Sequence, residues 1–356
     1  MPGSSFLPGT LLALINTKSC KVISTGFEGV KMSPSSSSST DVFHSGFRLS
    51  QTEALALESQ IAVDPDLVHA RIQLVGYYFQ KAASSFSSKD KNIGALHVLW
   101  FVQKQPEMSF LKFPIYSLTT NTTSDESIKQ QWELLTTTNC SSAILENAAQ
   151  YFKTREPHKS ITLIEQAVKL DPANIQLLEV LSDLYEQMVD KDQAQDIVVS
   201  KAIAAFEAYI SKEENVHRKI VVIARLAEFA RKSHNLTMAK QSVALGLELS
   251  QTVLESKIAI DAVHTLQTTR GLIFLDEGNV PGAIKALEDS QPLVKTPVLS
   301  SFGPQFGLAN ELLKRGERKA VCSYLSSCLK VWKNGQTSIL LWLLEINLGR
   351  KPVLRT

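Results

Sequence analysis

The chain has few cysteines, almost no excess charge of either sign and no long apolar run. Its four Cys in 356 residues are too few for a disulfide framework. Cys322 and Cys328 lie six residues apart in a predicted helix, where the direction turns by about 240° over that distance, so the two thiols point apart. The 37 Lys and Arg balance 35 Asp and Glu to a net charge of +2. This balance argues against a dedicated nucleic-acid-binding protein, which needs a basic surplus to neutralise phosphates.

Signals for a membrane span or for export are weak. No stretch approaches the about 18 consecutive apolar residues that a membrane-spanning helix needs. The best candidate for the core of a signal sequence, residues 11–15, is short, and residues 1–10 contain no Lys or Arg. We therefore expect a cytoplasmic protein without a membrane span, with export as the alternative.

Catalytic motifs are also missing. The sequence has no phosphate-binding G-x-x-x-x-G-K-S/T or G-x-G-x-x-G, and no G-x-S-x-G around a nucleophilic serine. None of the seven His belongs to an H-E-x-x-H motif or another pair with metal-ligand spacing. His97, close to Trp100, is either a site residue or, as we favour, a partly buried helix histidine. We expect a protein that is not an enzyme and has no cofactor or metal.

The composition divides the chain into four parts. Residues 1–48 are rich in Ser and Gly without helical periodicity, which predicts a flexible arm. We assign 49–106 to an N-terminal helical repeat region and 107–127 to a polar loop insertion, which is either disordered or folded over a groove. Residues 128–356 are assigned to a helical repeat domain that ends in capping helices.

From Gln51 onward, apolar residues recur at three- and four-residue spacing, which predicts successive helices. One corner recurs within this pattern. Ile61-Ala-Val-Asp-Pro65 matches Val168-Lys-Leu-Asp-Pro172, and each proline is followed by Leu nine residues on and by Tyr thirteen residues on. These residues are Leu74 and Tyr78 in the first copy and Leu181 and Tyr185 in the second. A helix, an Asp-Pro corner and a second helix therefore form a repeating unit.

This pattern resembles the tetratricopeptide repeat family, whose 34-residue unit is an antiparallel helix pair with small residues at the helix crossing. A unit from Ser141 places Ala148, Tyr151, Ser160, Ala167 and Pro172 at family positions, and units from Ile175, Ile220 and near His264 follow. A long helix around residues 202–210 separates the second unit from the third. Residues 301–332 resemble the C-terminal part of uncharacterised bacterial proteins with this repeat, which carry no known function. The resemblance implies an all-α solenoid of antiparallel helix pairs.

The resemblance also implies a concave face, formed by the first helix of each pair. Carried onto this chain, the face is apolar at the first unit, acidic in the middle and basic beyond. The candidate partner-binding residues are Leu145, Phe152, Gln176, Glu179, Asp183, Glu186, Glu228, Arg231 and Lys232. A solvated helix face without a binding role is the alternative for Glu179, Asp183 and Glu186.

Our leading hypothesis is a non-catalytic scaffold or adaptor that binds a protein or peptide on this face. One alternative is an accessory or regulatory subunit of an enzyme or secretion complex. Another is an enzyme with a site under the 113–127 loop.

Overall fold

The structure, a computed structural model, describes residues 38–85, 87–113, 115–138, 141–191, 196–253, 256–291 and 296–355. All regular elements of these residues are helical, which confirms the predicted all-α class. Most of the predicted arm, residues 1–37, lies outside the described residues, and so do Cys20 and Cys140.

The N-terminal part of the described chain is built from short and long helices joined by tight connections. These are α1 (Ser39–Gly46), α2 (Gln51–Val63), α3 (Val68–Ser85), α4 (Ser88–Lys104), α5 (Tyr116–Thr119) and α6 (Asp125–Thr138), with a 3₁₀ turn at Ser109–Lys112. Helix α2 begins with a capping box, in which the Ser50 hydroxyl accepts from the Glu53 N–H and the Glu53 carboxylate accepts from the Ser50 N–H.

Antiparallel helix pairs follow, as the repeat pattern predicts. They are α7 (Ser142–Phe152) with α8 (Pro157–Leu170), α9 (Ile175–Lys191) with α10 (Asp196–Lys212), α11 (Val216–Lys232) with α12 (Leu236–Ser250), and α13 (Lys257–Asp276) with α14 (Val280–Asp289). The long helix expected to separate the second unit from the third is α10, the partner of α9. That part of the prediction was wrong, because the second unit is longer than the 34-residue frame and includes α10, in which Ala202 is buried.

The C-terminal part contains α15 (Pro297–Ser301), α16 (Gly307–Lys314), α17 (Arg318–Val331) and α18 (Gln336–Asn347). It is continuous with the pairs before it, since α16 and α17 both pack on α14 and α16 also packs on α13. Residues Ser39–Thr356 form a single unit.

Small residues allow the helices to approach closely where the repeat pattern places them. Ala148, Ser160 and Ala167 are fully buried between α7 and α8, and the Ser160 hydroxyl donates to the Ala149 carbonyl across the crossing at 2.8 Å. A Cβ on Gly271 would overlap Leu308 of the following unit. The register of the first and fourth units is therefore confirmed at these positions.

The two Asp-Pro corners have the same structure. Each Asp is the residue after its helix, and its N–H donates to a carbonyl four residues earlier. A further feature recurs that the sequence comparison missed. The Tyr78 hydroxyl donates to Glu58 at 2.9 Å, and the Tyr185 hydroxyl donates to Glu165 at 2.5 Å. In both copies the acceptor lies twenty residues before the tyrosine, so the repeating unit includes a carboxylate that fixes the tyrosine.

Residues 39–48 differ from the flexible arm that was expected over 1–48. They contain α1, and Phe43 is buried in a cluster with Phe47, Phe110 and Phe113. A Cβ on Gly46 would collide with the backbone of α3, so the close approach of α1 and α3 needs glycine there. Short polar residues surround these aromatics, so the helical spacing of apolar residues is too weak to predict α1 from the sequence.

The described residues of the segment 107–127, which was expected to be a polar loop insertion, include short helical elements and are partly internal. Phe110, Leu111 and Leu118 are buried, and the last residues already belong to α6. The Thr-rich stretch serves to start that helix, since the Asn121 N–H donates to the Asp125 carboxylate and Tyr151 donates to the same side chain. The segment is thus a connection between repeats that contributes to the core.

Candidate functional site

The predicted acidic residues of α9 lie on the side of the helix that faces away from the core. Gln176 and Glu179 are exposed, while Asp183 and Glu186 are partly exposed. The opposite side of α9 carries Leu177, Leu178, Leu181, Leu184 and Tyr185, all buried. The helical spacing therefore separates a polar face from an apolar face as the register requires.

Arg225 of α11 reaches across to α9 and binds two of these carboxylates. Its Nη2 lies 2.5 Å from the Asp183 Oδ1 and 2.5 Å from the Glu186 Oε2. Its guanidinium also lies 5.4 Å from the centre of the Phe206 ring. Partial burial lowers the pKa of Arg225, but its hydrogen bonds and charge interactions with Glu186 and Asp183 outweigh that effect and raise it. Asp183 and Glu186 are thus held in place by a cation that the sequence analysis did not assign to the site.

Glu179 differs from its two neighbours on α9. Among the described residues, none forms an ion pair with it. Its carboxylate is exposed, and its backbone carbonyl accepts a hydrogen bond from Ser182. The acidic face is therefore one open carboxylate next to a neutralised cluster, and not three equivalent charges.

The basic residues predicted beyond the acidic face are also paired. Arg231 of α11 lies 3.1 Å from Asp276 of α13, so it links two successive first helices. Lys232 lies 3.1 Å from Glu228 one turn earlier. Together with the pairs of Arg225, they form a row of ion pairs along the first helices. The charged side chains of this row are therefore held by one another at the surface.

The prediction that the partner-binding face has an apolar end at the first unit was wrong. Leu145 and Phe152 of α7 are buried and cannot contact a partner. Both residues lie on the side of α7 that packs into the hydrophobic core. A different side of the helix binds the connection between α4 and α5, where the Asn147 side-chain amide donates to the carbonyls of Pro106 and Met108. The family positions were transferred to a unit in which they belong to the core.

A buried polar cluster contains the histidine that the sequence singled out. Arg71 donates to the His97 Nδ1 at 3.2 Å, so the proton lies on Nε2, which donates to Glu58 at 3.0 Å. The same carboxylate accepts from Tyr78, and the Arg71 guanidinium lies 4.7 Å from the Trp100 ring. Burial raises the pKa of Glu58, but its bonds with His97 and Tyr78 outweigh it and lower that pKa. Every polar group here has a partner, which fits the reading of His97 as a structural residue.

The equivalent place in the second Asp-Pro unit has a simpler arrangement. There Lys201 of α10 lies 2.9 Å from Glu165, which also accepts from Tyr185. In both units a carboxylate on one helix receives a tyrosine from the next helix and a basic group from the helix after that. The cluster therefore joins three consecutive helices, and catalysis is not needed to explain it.

Other features of the described residues bear on the alternatives. Between α12 and α13 is a groove of about 460 Å³, lined by Val243, Leu247, Ile273 and Phe274 and flanked by charged side chains. Within residues 115–119, Leu118 is fully buried, and its side chain lies next to Gly94. No group of His, Cys, Asp and Glu that could hold a metal ion occurs in the part of the chain that the structure describes. In that same part, none of the helices is both long and apolar enough to cross a membrane.

Comparison with known proteins assigns no family to the chain. No family model matches the chain, and no curated protein matches it. Among solved structures, the chain is similar to a human IFIT1 dimer with PPP-AAAA, at 14% sequence identity and a TM-score of 0.47. The similar part covers 84% of this chain and 69% of that chain. A likeness this distant says nothing about what the chain binds.

Proposed function

We propose that the chain is a non-catalytic scaffold that binds a protein or peptide partner on its inner face. The inner face is here the exposed side of α9 and α11, with Gln176, Glu179, Asp183, Glu186, Glu228, Arg231 and Lys232. The observation that carries the proposal is the contrast between Glu179, which is open, and Asp183 and Glu186, which Arg225 holds in fixed positions.

A partner of defined chemistry fits this surface. Glu179 offers a carboxylate to a Lys or Arg of the partner, while the fixed charges around Arg225 provide hydrogen-bonding groups that need no reorganisation on binding. The buried Leu145 and Phe152 remove the apolar anchor from the sequence-based hypothesis. We therefore expect a basic, polar segment as the ligand.

Because Arg225 pairs with Asp183 and Glu186, these two carboxylates are unsuitable for a test by charge reversal. Reversing Asp183 and Glu186 would leave Arg225 facing two lysines and would disturb the contact between α9 and α11. The informative change is Glu179→Lys alone. The matched control is Glu207→Lys, which makes the same change of charge at an exposed residue of α10.

The experiment is quantitative affinity capture from the native host, followed by mass spectrometry. Proteins that bind the inner face should be recovered equally by the unmodified chain and Glu207→Lys, and at least about tenfold less by Glu179→Lys. Circular dichroism should show equal helicity for all three. Equal recovery of the same proteins by both variants would remove the inner face as the binding site.

A further inference from the structure

The last helix of the array, α18, carries a row of exposed leucines. Leu340, Leu341 and Leu344 belong to the helix, Leu348 follows directly after its end, and all four are 56–64% exposed. They lie on one side because Leu344 is three residues from Leu341 and four residues from both Leu340 and Leu348. We call these four residues the leucine row.

The other side of α18 is apolar as well. Ile339 and Ile346 are buried, and Trp342 packs edge-on against Phe306 with ring centres 5.3 Å apart. A helix that is apolar on two opposite sides is normally covered on both. In this structure α18 is covered on one.

Earlier in the array, the second helix of each pair is covered by the helix that follows. Helix α9 packs on α8, α11 packs on α10, and α13 packs on α12. After α18 no further helix is formed by the described residues. Instead, residues 350–355 turn back to α16, where the Asn310 side chain exchanges two hydrogen bonds of 2.9 Å with the backbone of Leu354. The leucine row therefore has the position that a next helix would cover.

The C-terminal segment that contains the leucine row is basic, and three of its cations lie at the C-terminal end of the row. Residues 311–355 contain nine Lys and Arg and three Asp and Glu. At the C-terminal end of the row, Arg318 donates to the Gly349 carbonyl at 2.9 Å, and Lys351 donates to the Lys314 carbonyl at 2.6 Å. The carboxylate of Glu345, beside the row, lies 3.8 Å from Arg350. A partner of opposite charge is favoured at this end of the molecule.

Charge discriminates between the possible occupants. Two copies that met through their leucine rows would bring two basic surfaces together, which is unfavourable. Residues 1–37 contain an apolar stretch, but their three Lys and one Glu make them basic as well. The spacing of Leu341, Leu344 and Leu348 is that of a helix–helix seam, so a helix fits the row better than a flat lipid surface does.

We propose that the leucine row and the basic residues beside it bind an acidic amphipathic helix of a partner protein, which continues the stack beyond α18. This surface is separate from the inner face and does not depend on the function proposed for it. Its leucines supply the apolar contact, and the cations around Gly349 select glutamate or aspartate at the edges of the incoming helix.

The test uses the full chain and a fluorescein-labelled helical peptide of about 20 residues, with leucine at three- and four-residue spacing and glutamate on both flanks. A second peptide has lysine in place of every glutamate. Fluorescence anisotropy should show binding of the glutamate peptide that weakens with added salt, and at least about tenfold weaker binding of the lysine peptide.

The double variant Leu340→Gln/Leu344→Gln should bind the glutamate peptide at least about tenfold more weakly than the unmodified chain. Leu134→Gln is the matched control, since it removes an equally exposed leucine from α6. Because all three leucines are exposed, we expect helicity and melting temperature to be retained.

Several outcomes would overturn the proposal. Equal affinity for the two peptides, or no binding of either to the full chain, would show that the row does not accept an acidic helix. A dimer in sedimentation experiments that the double variant abolishes would assign the row to a second copy. Binding to phosphatidylserine vesicles that requires the leucines, without binding of the glutamate peptide, would assign it to a membrane surface.

Discussion

Replacement of Tyr185 tests at the same time the repeat register and the role of Glu165, the carboxylate partner that recurs in the two Asp-Pro units. The ring is buried between α8 and α9, and the hydroxyl donates to Glu165 at 2.5 Å. Burial raises the pKa of Tyr185, and the hydrogen bond to Glu165 raises it further, so the hydroxyl stays a donor at neutral pH. The ring and the hydroxyl contribute to stability separately.

The two contributions have different sizes. In Tyr185→Phe, Glu165 loses one donor but keeps Lys201 at 2.9 Å and is partly solvated, so the loss is about 1 kcal/mol. Tyr185→Ala also removes the buried ring and leaves a cavity, which brings the total to about 3 kcal/mol. We therefore expect about 2 kcal/mol between the two variants, most of it from packing.

The assay is urea denaturation followed by far-ultraviolet circular dichroism. Tyr78→Phe, at the same place in the first corner, should lose a similar amount to Tyr185→Phe, whereas Phe302→Ala at an exposed site should stay below about 0.5 kcal/mol. A loss below about 0.5 kcal/mol for Tyr185→Ala would refute the register. No loss in Tyr185→Phe would refute the contribution of the hydrogen bond.

Two further predictions concern histidines. His234, just after the end of α11, has a φ of +60°, and the left-handed residues after α13 and α16 are Gly278 and Gly316. His234→Gly should therefore stabilise the protein by about 1 kcal/mol in the same urea assay. A loss of stability would contradict this prediction. Burial lowers the pKa of His264 below its ordinary value of 6.5, although the bond to the Ser290 carbonyl raises it. The unfolded chain then binds the proton more readily, so this stability is complete above pH 6.5 and is lost as the pH falls towards the folded pKa. The melting temperature should drop on acidification, and His264→Gln should show a smaller drop than the exposed His158→Gln control.

The parts of the fold that follow from local chemistry could be predicted from the sequence. These parts are the helical spacing, the Asp-Pro corners and small residues such as Ala148 and Ala167. Each depends on residues that are close together in the sequence, so the sequence alone shows the pattern. The pairing of helices in the first, third and fourth units was predicted because short connections force neighbouring helices to run antiparallel.

The candidate site could not be predicted in full from the sequence, because it depends on contacts between residues that are far apart in the chain. Arg225 lies 42 residues from Asp183, and only the stacking of two repeats brings them together. The burial of Leu145 and Phe152 depends on how α7 packs into the core, and the spacing of family positions does not describe that packing. The missing signal for α1 was its aromatic content, because Phe43 and Phe47 lie four residues apart within the Ser-rich stretch.

The overall charge balance also conceals how charge is arranged. A net charge of +2 excludes little once residues 311–355 are seen to hold a surplus of basic groups, since the rest of the folded chain must then hold more acids than bases. Each repeat contacts only its neighbours, and salt screens exposed charges beyond about 8 Å at physiological ionic strength. The two proposed surfaces, the inner face around Glu179 and the leucine row, are therefore expected to act independently. If both proposals hold, the chain binds a basic partner on the first surface and an acidic partner on the second.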